Sequence, residues 1–304
     1  MKKIYRLTPS LHECIWGGNM LAELGKNTAD GVFGESWEMS FVPGFESTVD
    51  GVSVSERFGK DAWGRACDGF ESFPVLTKFI DAADRLSVQV HPSDEYALAN
   101  EGQYGKTEMW YIVAAQKGAG IYMGLKRSVT AEEFAAAVAD GSVEDLLSFR
   151  EVHAGEVYFI PSGTVHAIGA GTLIFEIQQN STLTYRLYDY MRRDKNGNLR
   201  ELHVEKAMKV STLGEYKSPI RTEENGTLIG KCKYFETHLY RLSGGECSLS
   251  SPDSYISLTC TRGEGYIEEE KVKAGDSFFA PAGVGEIKLC GKMDVVAVKT
   301  PLAE

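Results

Sequence analysis

The chain runs to 304 residues, with 32 Lys or Arg against 43 Asp or Glu and a formal net charge of −11. That acidity disfavours nucleic acid and anionic membrane surfaces as partners. No stretch approaches the roughly 18 apolar residues a membrane helix needs, so the cytoplasm is the expected compartment.

Short apolar runs broken by Gly and Pro turns predict a mainly β protein, an antiparallel sandwich or barrel, over alternating strand and helix. In chain order, a weak helical stretch at 54–64 precedes strands at 75–80 and 86–90, a helix at 93–100 and a strand at 110–115. A helical segment near 130–149 follows, where Thr130 and Glu133 form a capping box ahead of an Ala-rich run and 143–149 adds a turn or two. Strands at 156–160, 173–178 and 184–188 and a helix at 204–211 come next. The remainder reads as strands near 235–242, 255–260, 265–268, 276–279 and 295–299. Six scattered cysteines show no Cys-x-x-Cys spacing, which suggests neither a thiolate metal site nor a redox motif.

An internal repeat shows how these elements are organised. Gly155, Pro161, Ser162, Gly163 and His166 recur 120 residues later as Gly275, Pro281, Ala282, Gly283 and Glu286. Upstream, Gln116–Gly120 resembles Thr261–Gly265 at a larger offset, so the first copy carries extra residues between Gly120 and Gly155, where the helical segment falls. Two β units are expected, 1–220 and 221–304, with a small helical insertion in the first. The second has Glu286 in place of His166 and no Gln-x-His pair, which predicts one active unit and one silent one.

Gln89, His91, Glu108 and His166 are the candidate metal ligands. Gln89 and His91 lie two apart, so on an extended strand they share a face. Glu108 opens the next apolar run, and His166 follows the Pro161-x-Gly163 turn. Imidazole and carboxylate together suit a borderline divalent ion such as Zn²⁺, with an amide oxygen as a plausible fourth ligand. A single histidine would more often be a hydrogen-bonded structural residue; the combination carries the expectation. His12, His153, His203 and His238 have no comparable context.

At these residues the chain resembles a known family. Gly155 to His166 fits the second motif of cupin barrels, and Ser87–Pro92 with Lys106-Thr-Glu108 is similar to the signature of type I mannose-6-phosphate isomerases. The resemblance is strong from Trp16 to Arg186 and weaker beyond. It implies two cupin-like jelly-roll β-barrel units, one Zn²⁺ per chain on Gln89, His91, Glu108 and His166, and a small-molecule sugar phosphate as partner; no oligomeric state follows from it. The activity it implies is interconversion of mannose 6-phosphate and fructose 6-phosphate through an enediol. It further implies that Lys78 and Ser87 bind the phosphate, that Trp16 lines the pocket, and that Lys106, Glu176 and Arg186 act around the sugar. The chain departs from many members at Gly105, where they carry His, so a mechanism that relies on that His does not apply. Two other classes fit a His/His/carboxylate cupin: an iron-dependent oxygenase and a non-catalytic sugar-phosphate binder.

Overall fold

Three antiparallel sheets form the framework of the chain in a computed structural model, which describes residues 4–26, 31–194, 196–216 and 227–303. The first has six strands, in the order Val157–Ile160, Glu108–Ala115, Thr172–Gln179, Val75–Ala82, Phe33–Met39 and Ser10–Glu13. The second has five: Leu147–Glu151, Gly120–Leu125, His166–Ile168, Val88–Val90 and Tyr185–Tyr188. Inward faces of these two sheets pack on one another, because Ile80, Trp110, Ile112 and Ile174 of the first share an apolar cluster with Ile121, Met123 and Ile168 of the second. Period-two alternation sends the neighbouring residues Phe79, Met109, Phe175 and Ile177 to the opposite face. There they meet Leu239, Phe279, Val296 and Val298 of the third sheet.

That third sheet runs Tyr5–Arg6, Ser277–Ala280, Ile256–Ile267, Ile287–Lys299, Glu236–Leu249 and Thr227–Lys231, with Glu270–Lys273 attached to Ile256–Ile267. Among the described residues no sheet closes on itself. The candidate ligands therefore do not meet inside one closed barrel sheet, as the resemblance implied; they meet between two sheets laid face to face.

The repeat is visible in the backbone. Gly155 and Gly275 hold φ of 94° and 95°, values that favour glycine, and the strands that follow them, Val157–Ile160 and Ser277–Ala280, have the same length. Each pairs with a partner strand on its inner side, Glu108–Ala115 and Ile256–Ile267. Superposing these registers puts Ile256 where Glu108 lies, since Ile160 faces Glu108 and Ala280 faces Ile256. Glu286, the counterpart of His166, is exposed.

The helices Asp94–Glu101 and Val204–Val210 form where expected. Thr130 caps Ala131–Asp140 by accepting the Glu133 N–H at 3.1 Å. The stretch 143–149 is only half helical: Val143–Leu146 makes one turn, and Leu147–Glu151 then becomes a strand because Gly120–Leu125 offers it an open edge. The weak helical stretch at 54–64 is two single turns, Val54–Arg57 and Lys60–Trp63. No helix among the described residues is long and apolar enough to cross a membrane.

Candidate active site

Glu108, His91 and His166 are buried together, with a ligand atom of each within 4.8 Å of the others. His91 Nε2 lies 3.3 Å from Glu108 Oε2, and His166 Nε2 lies 3.3 Å from Glu108 Oε1. Each position follows from a backbone device. Glu108 is the first residue of its strand, His166 opens His166–Ile168, and His91 comes just after Val88–Val90. The Pro161-x-Gly163 turn ties two of them, since the Gly163 N–H donates to the His91 carbonyl at 2.8 Å.

Both imidazoles have a fixed tautomer. His91 Nδ1 pairs with the Leu183 carbonyl at 2.8 Å and His166 Nδ1 with the Thr164 carbonyl at 2.9 Å. A carbonyl only accepts, so each Nδ1 carries the hydrogen and each Nε2 presents a lone pair to the shared space. Burial first, then Lys106, pushes the His91 pKa down to about 3, and burial lowers that of His166. Burial alone would raise the Glu108 carboxyl, but Lys106, His91 and His166 outweigh it and hold it well below the usual range.

These donors fit a divalent ion. Two neutral imidazole nitrogens and a carboxylate form an ordinary zinc donor set, and tetrahedral Zn–N and Zn–O bonds place neighbouring ligand atoms about 3.4 Å apart. Glu108 Oε1 is buried with no hydrogen-bond partner, a costly arrangement for a site meant to be filled only by protein. Gln89 lies opposite His166 in register, with its Nε2 3.3 Å from His166 Nε2 and its Oε1 accepting from Ser87 at 3.4 Å. Oxygen ligation by Gln89 therefore requires a half-turn of its amide. The Lys106 ammonium lies 3.0 Å from His91 Nε2 and against Glu108 Oε2, a cation resting on two of the donors.

Beside the cluster, one rung of the six-stranded sheet lines up Tyr158, Trp110, Glu176, Lys78 and Trp37. Lys78 Nζ is 3.1 Å from Glu176 Oε1 and 3.3 Å from Glu35 Oε2. Burial works against its charge, but Glu176 and Glu35 outweigh burial and hold the ammonium above the ordinary lysine range. Trp110 Nε1 donates to Glu176 Oε2 at 2.7 Å, and Lys106 Nζ is 3.7 Å from Glu176 Oε1. Glu176 thus joins Lys78 to Lys106 and, through it, to the His91–Glu108–His166 cluster.

Arg186 lies across from Gln89 on Tyr185–Tyr188, and its Nε is buried without a hydrogen-bond partner. Burial, then Arg200, lowers its pKa. Trp16 is 4% exposed and packs with Ile80, Trp110 and Ile174, while its carbonyl accepts from the Ala83 N–H at 2.9 Å.

Sequence reasoning missed Glu35, Trp37 and His12. Trp37 Nε1 donates to Glu35 Oε2 at 2.6 Å, and the His12 ring lies 4.2 Å from that of Trp37. Burial would raise the Glu35 carboxyl, yet Lys78 and the Trp37 N–H hold it below its ordinary value. The two-residue spacing of Glu35 and Trp37 was the available signal; a bulge then turns Met39 to the opposite face.

Comparison with known proteins agrees with this arrangement. Residues 4–109 match the family model "Phosphomannose isomerase type I, catalytic domain", and residues 225–300 match "Mannose-6-phosphate isomerase, cupin domain". The chain is 39% identical to mannose-6-phosphate isomerase ManA of Bacillus subtilis (strain 168), covering 95% of this chain and 96% of that one. It is 34% identical to mannose-6-phosphate isomerase of Streptococcus mutans serotype c, covering 96% of each. The crystal structure of mannose 6-phosphate isomerase from Bacillus subtilis superposes with a TM-score of 0.90 at 32% identity, over 98% of this chain and 99% of that one. With a type I signature on the sheets that carry the His–Glu–His cluster and full-length likeness to these enzymes, the chain belongs to the type I mannose-6-phosphate isomerase family and is an aldose–ketose isomerase of the cupin class.

Proposed function

We propose that the chain interconverts mannose 6-phosphate and fructose 6-phosphate through an enediol, with one Zn²⁺ held by Gln89, His91, Glu108 and His166. The observation that carries this reading is the buried Glu108 Oε1, unpartnered between two imidazoles whose Nε2 atoms are free of hydrogen. When bound, the ion would supply Lewis-acid charge for the oxygens at C1 and C2 of the sugar.

The chain's own groups do the remaining work. Moving a proton between C2 and C1 needs a proton carrier and a means to balance charge on the oxygens. Glu176, anchored by Trp110 Nε1 and paired with Lys78, is the proposed carrier. Lys106 gives up its two donors to the metal and keeps Glu176 within reach; there it balances or shuttles charge around the enediol. Arg186, with its unpartnered Nε, stabilises the same charge. Lys78 and Ser87 grip the phosphate, whose binding energy positions the reacting carbons, and Trp16 backs the sugar.

The same reading divides the chain into a catalytic unit, 1–220, with a helical insertion near 130–149, and a silent unit, 221–304, both built on the jelly-roll plan. Working on a soluble sugar phosphate, it is placed in the cytoplasm. A coupled assay of mannose 6-phosphate turnover before and after chelation, with zinc add-back, tests the proposal. Loss and recovery of activity are expected. Activity that survives complete metal removal would end the metal reading, and oxygen uptake on iron loading without sugar-phosphate turnover would replace it with oxygenase chemistry.

A further inference from the structure

Lys106 is a long side chain whose ammonium is only as well placed as its Cα, so what holds its backbone decides where its charge points. The Gly105–Thr107 stretch has an acceptor for every peptide N–H. Gly105 N donates to Asp94 Oδ1 at 3.0 Å, Lys106 N to the Pro92 carbonyl at 3.0 Å, and Thr107 N to Gln179 Oε1 at 2.7 Å. Two of these acceptors are side chains joined to each other, because Gln179 Nε2 donates to Asp94 Oδ1 at 2.9 Å. The residues on both sides of Lys106 are therefore gripped by one Asp–Gln pair.

Asp94 has a second oxygen, and its partner comes from elsewhere in the fold. Tyr234, in the turn between Thr227–Lys231 and Glu236–Leu249 of the third sheet, donates its hydroxyl to Asp94 Oδ2. Asp94 itself is fixed as the first residue of helix Asp94–Glu101, behind the Ser93 cap. The carboxylate thus links that helix, the Lys106 loop and the otherwise silent C-terminal sheet. Hydrogen bonds to an ionised acceptor are about twice as strong as neutral ones, so three donors on one carboxylate make a stiff joint.

We propose that Asp94, with Gln179 and Tyr234, is a positioning group that aims the Lys106 ammonium at the reacting end of the substrate, and that the C-terminal sheet contributes to turnover through Tyr234. This rests on the reading that Lys106 acts on the sugar. Asp94 and Tyr234 reach the site through the residues that flank Lys106: Asp94 accepts from Gly105 and from Gln179, which in turn holds Thr107, and Tyr234 donates to Asp94.

Steady-state kinetics on the full zinc-loaded chain test it, using Lys106→Ala, Tyr234→Phe and the double variant, with zinc content and melting temperature measured for each. Tyr234→Phe keeps the ring and removes only the hydroxyl. It should lower kcat about ten-fold, the effect of one charge-assisted hydrogen bond, with KM and zinc content unchanged and the protein still folded. Lys106→Ala should lower kcat by about 100-fold or more, and adding Tyr234→Phe to it should cost nothing further. A Tyr234→Phe effect of the same size with and without Lys106, or none at all beside an impaired Lys106→Ala, overturns the positioning role alone. Full activity in Lys106→Ala overturns the reading of Lys106 itself and the positioning role with it. Asp94→Ala, if it folds, should exceed Tyr234→Phe, since it frees the loop on both sides.

Discussion

Arg186 and Gln89 occupy one rung of neighbouring antiparallel strands, so a guanidinium with an unpartnered Nε stands directly across from a metal-ligand candidate. Replacing Arg186 with Ala should lower kcat by about 100-fold, the scale of losing one preorganised donor to developing charge. Zinc content should stay at one per chain. Metal analysis alongside kinetics checks this; loss of zinc in the same variant would make Arg186 a structural residue.

His91→Ala and His166→Ala should each abolish turnover together with stoichiometric zinc. Each removes an Nε2 whose lone pair is directed by a carbonyl on the far side of the ring. Zinc retained at full stoichiometry in either variant would count against the site.

Gly105 sits where the surrounding backbone leaves no room for a side chain. A Cβ there would lie 2.5 Å from the Pro92 carbonyl oxygen and 2.5 Å from the Ser93 carbonyl carbon, both backbone atoms that cannot move aside cheaply. Gly105→Ala should destabilise the protein by about 1–3 kcal/mol and lower kcat by displacing Lys106. Denaturant unfolding and kinetics together report both effects.

Acid should destabilise the metal-free protein before carboxylates alone account for it. An unfolded imidazole takes a proton near 6.5, whereas folded His91 does so only near 3. Between those values the unfolded chain binds more protons, so stability that is complete above 6.5 is lost as the pH falls towards 3. Glu108, held low, adds a loss of the same sign below 4.5. The melting temperature of chelated protein followed from pH 7 to pH 4 should fall, with a shallower slope in His91→Asn.

Glu286→Ala should leave activity, zinc stoichiometry and, within about 0.5 kcal/mol, stability unchanged, since it is an exposed residue where its repeat partner, the ligand candidate His166, is buried. A fall in zinc content would show that the C-terminal unit holds metal.

What could be read from the chain depended on how local the information was. Gln89 and His91 are two apart, and the Gly155–His166 turn repeats at Gly275, so pattern alone picked out the candidate ligands and the matching turns at Gly155 and Gly275. Glu35 could not be found this way, because its role exists only once Phe33–Met39 pairs beside Val75–Ala82 and sets Trp37 opposite Lys78. Leu147–Glu151 follows a helical run without a break, and only the edge of Gly120–Leu125 makes it a strand. Asp94 looked like part of the helix at 93–100 and nothing more; its bonds to Gly105 and Tyr234 span 11 and 140 residues.

Tyr5–Arg6 completes the third sheet by pairing with Ser277–Ala280. A segment made early must therefore wait for one that lies far along the chain, and contacts that distant slow folding. Until residue 280 has left the ribosome, the edge of Tyr5–Arg6 stays unmatched, so the third sheet cannot complete its pairing before then.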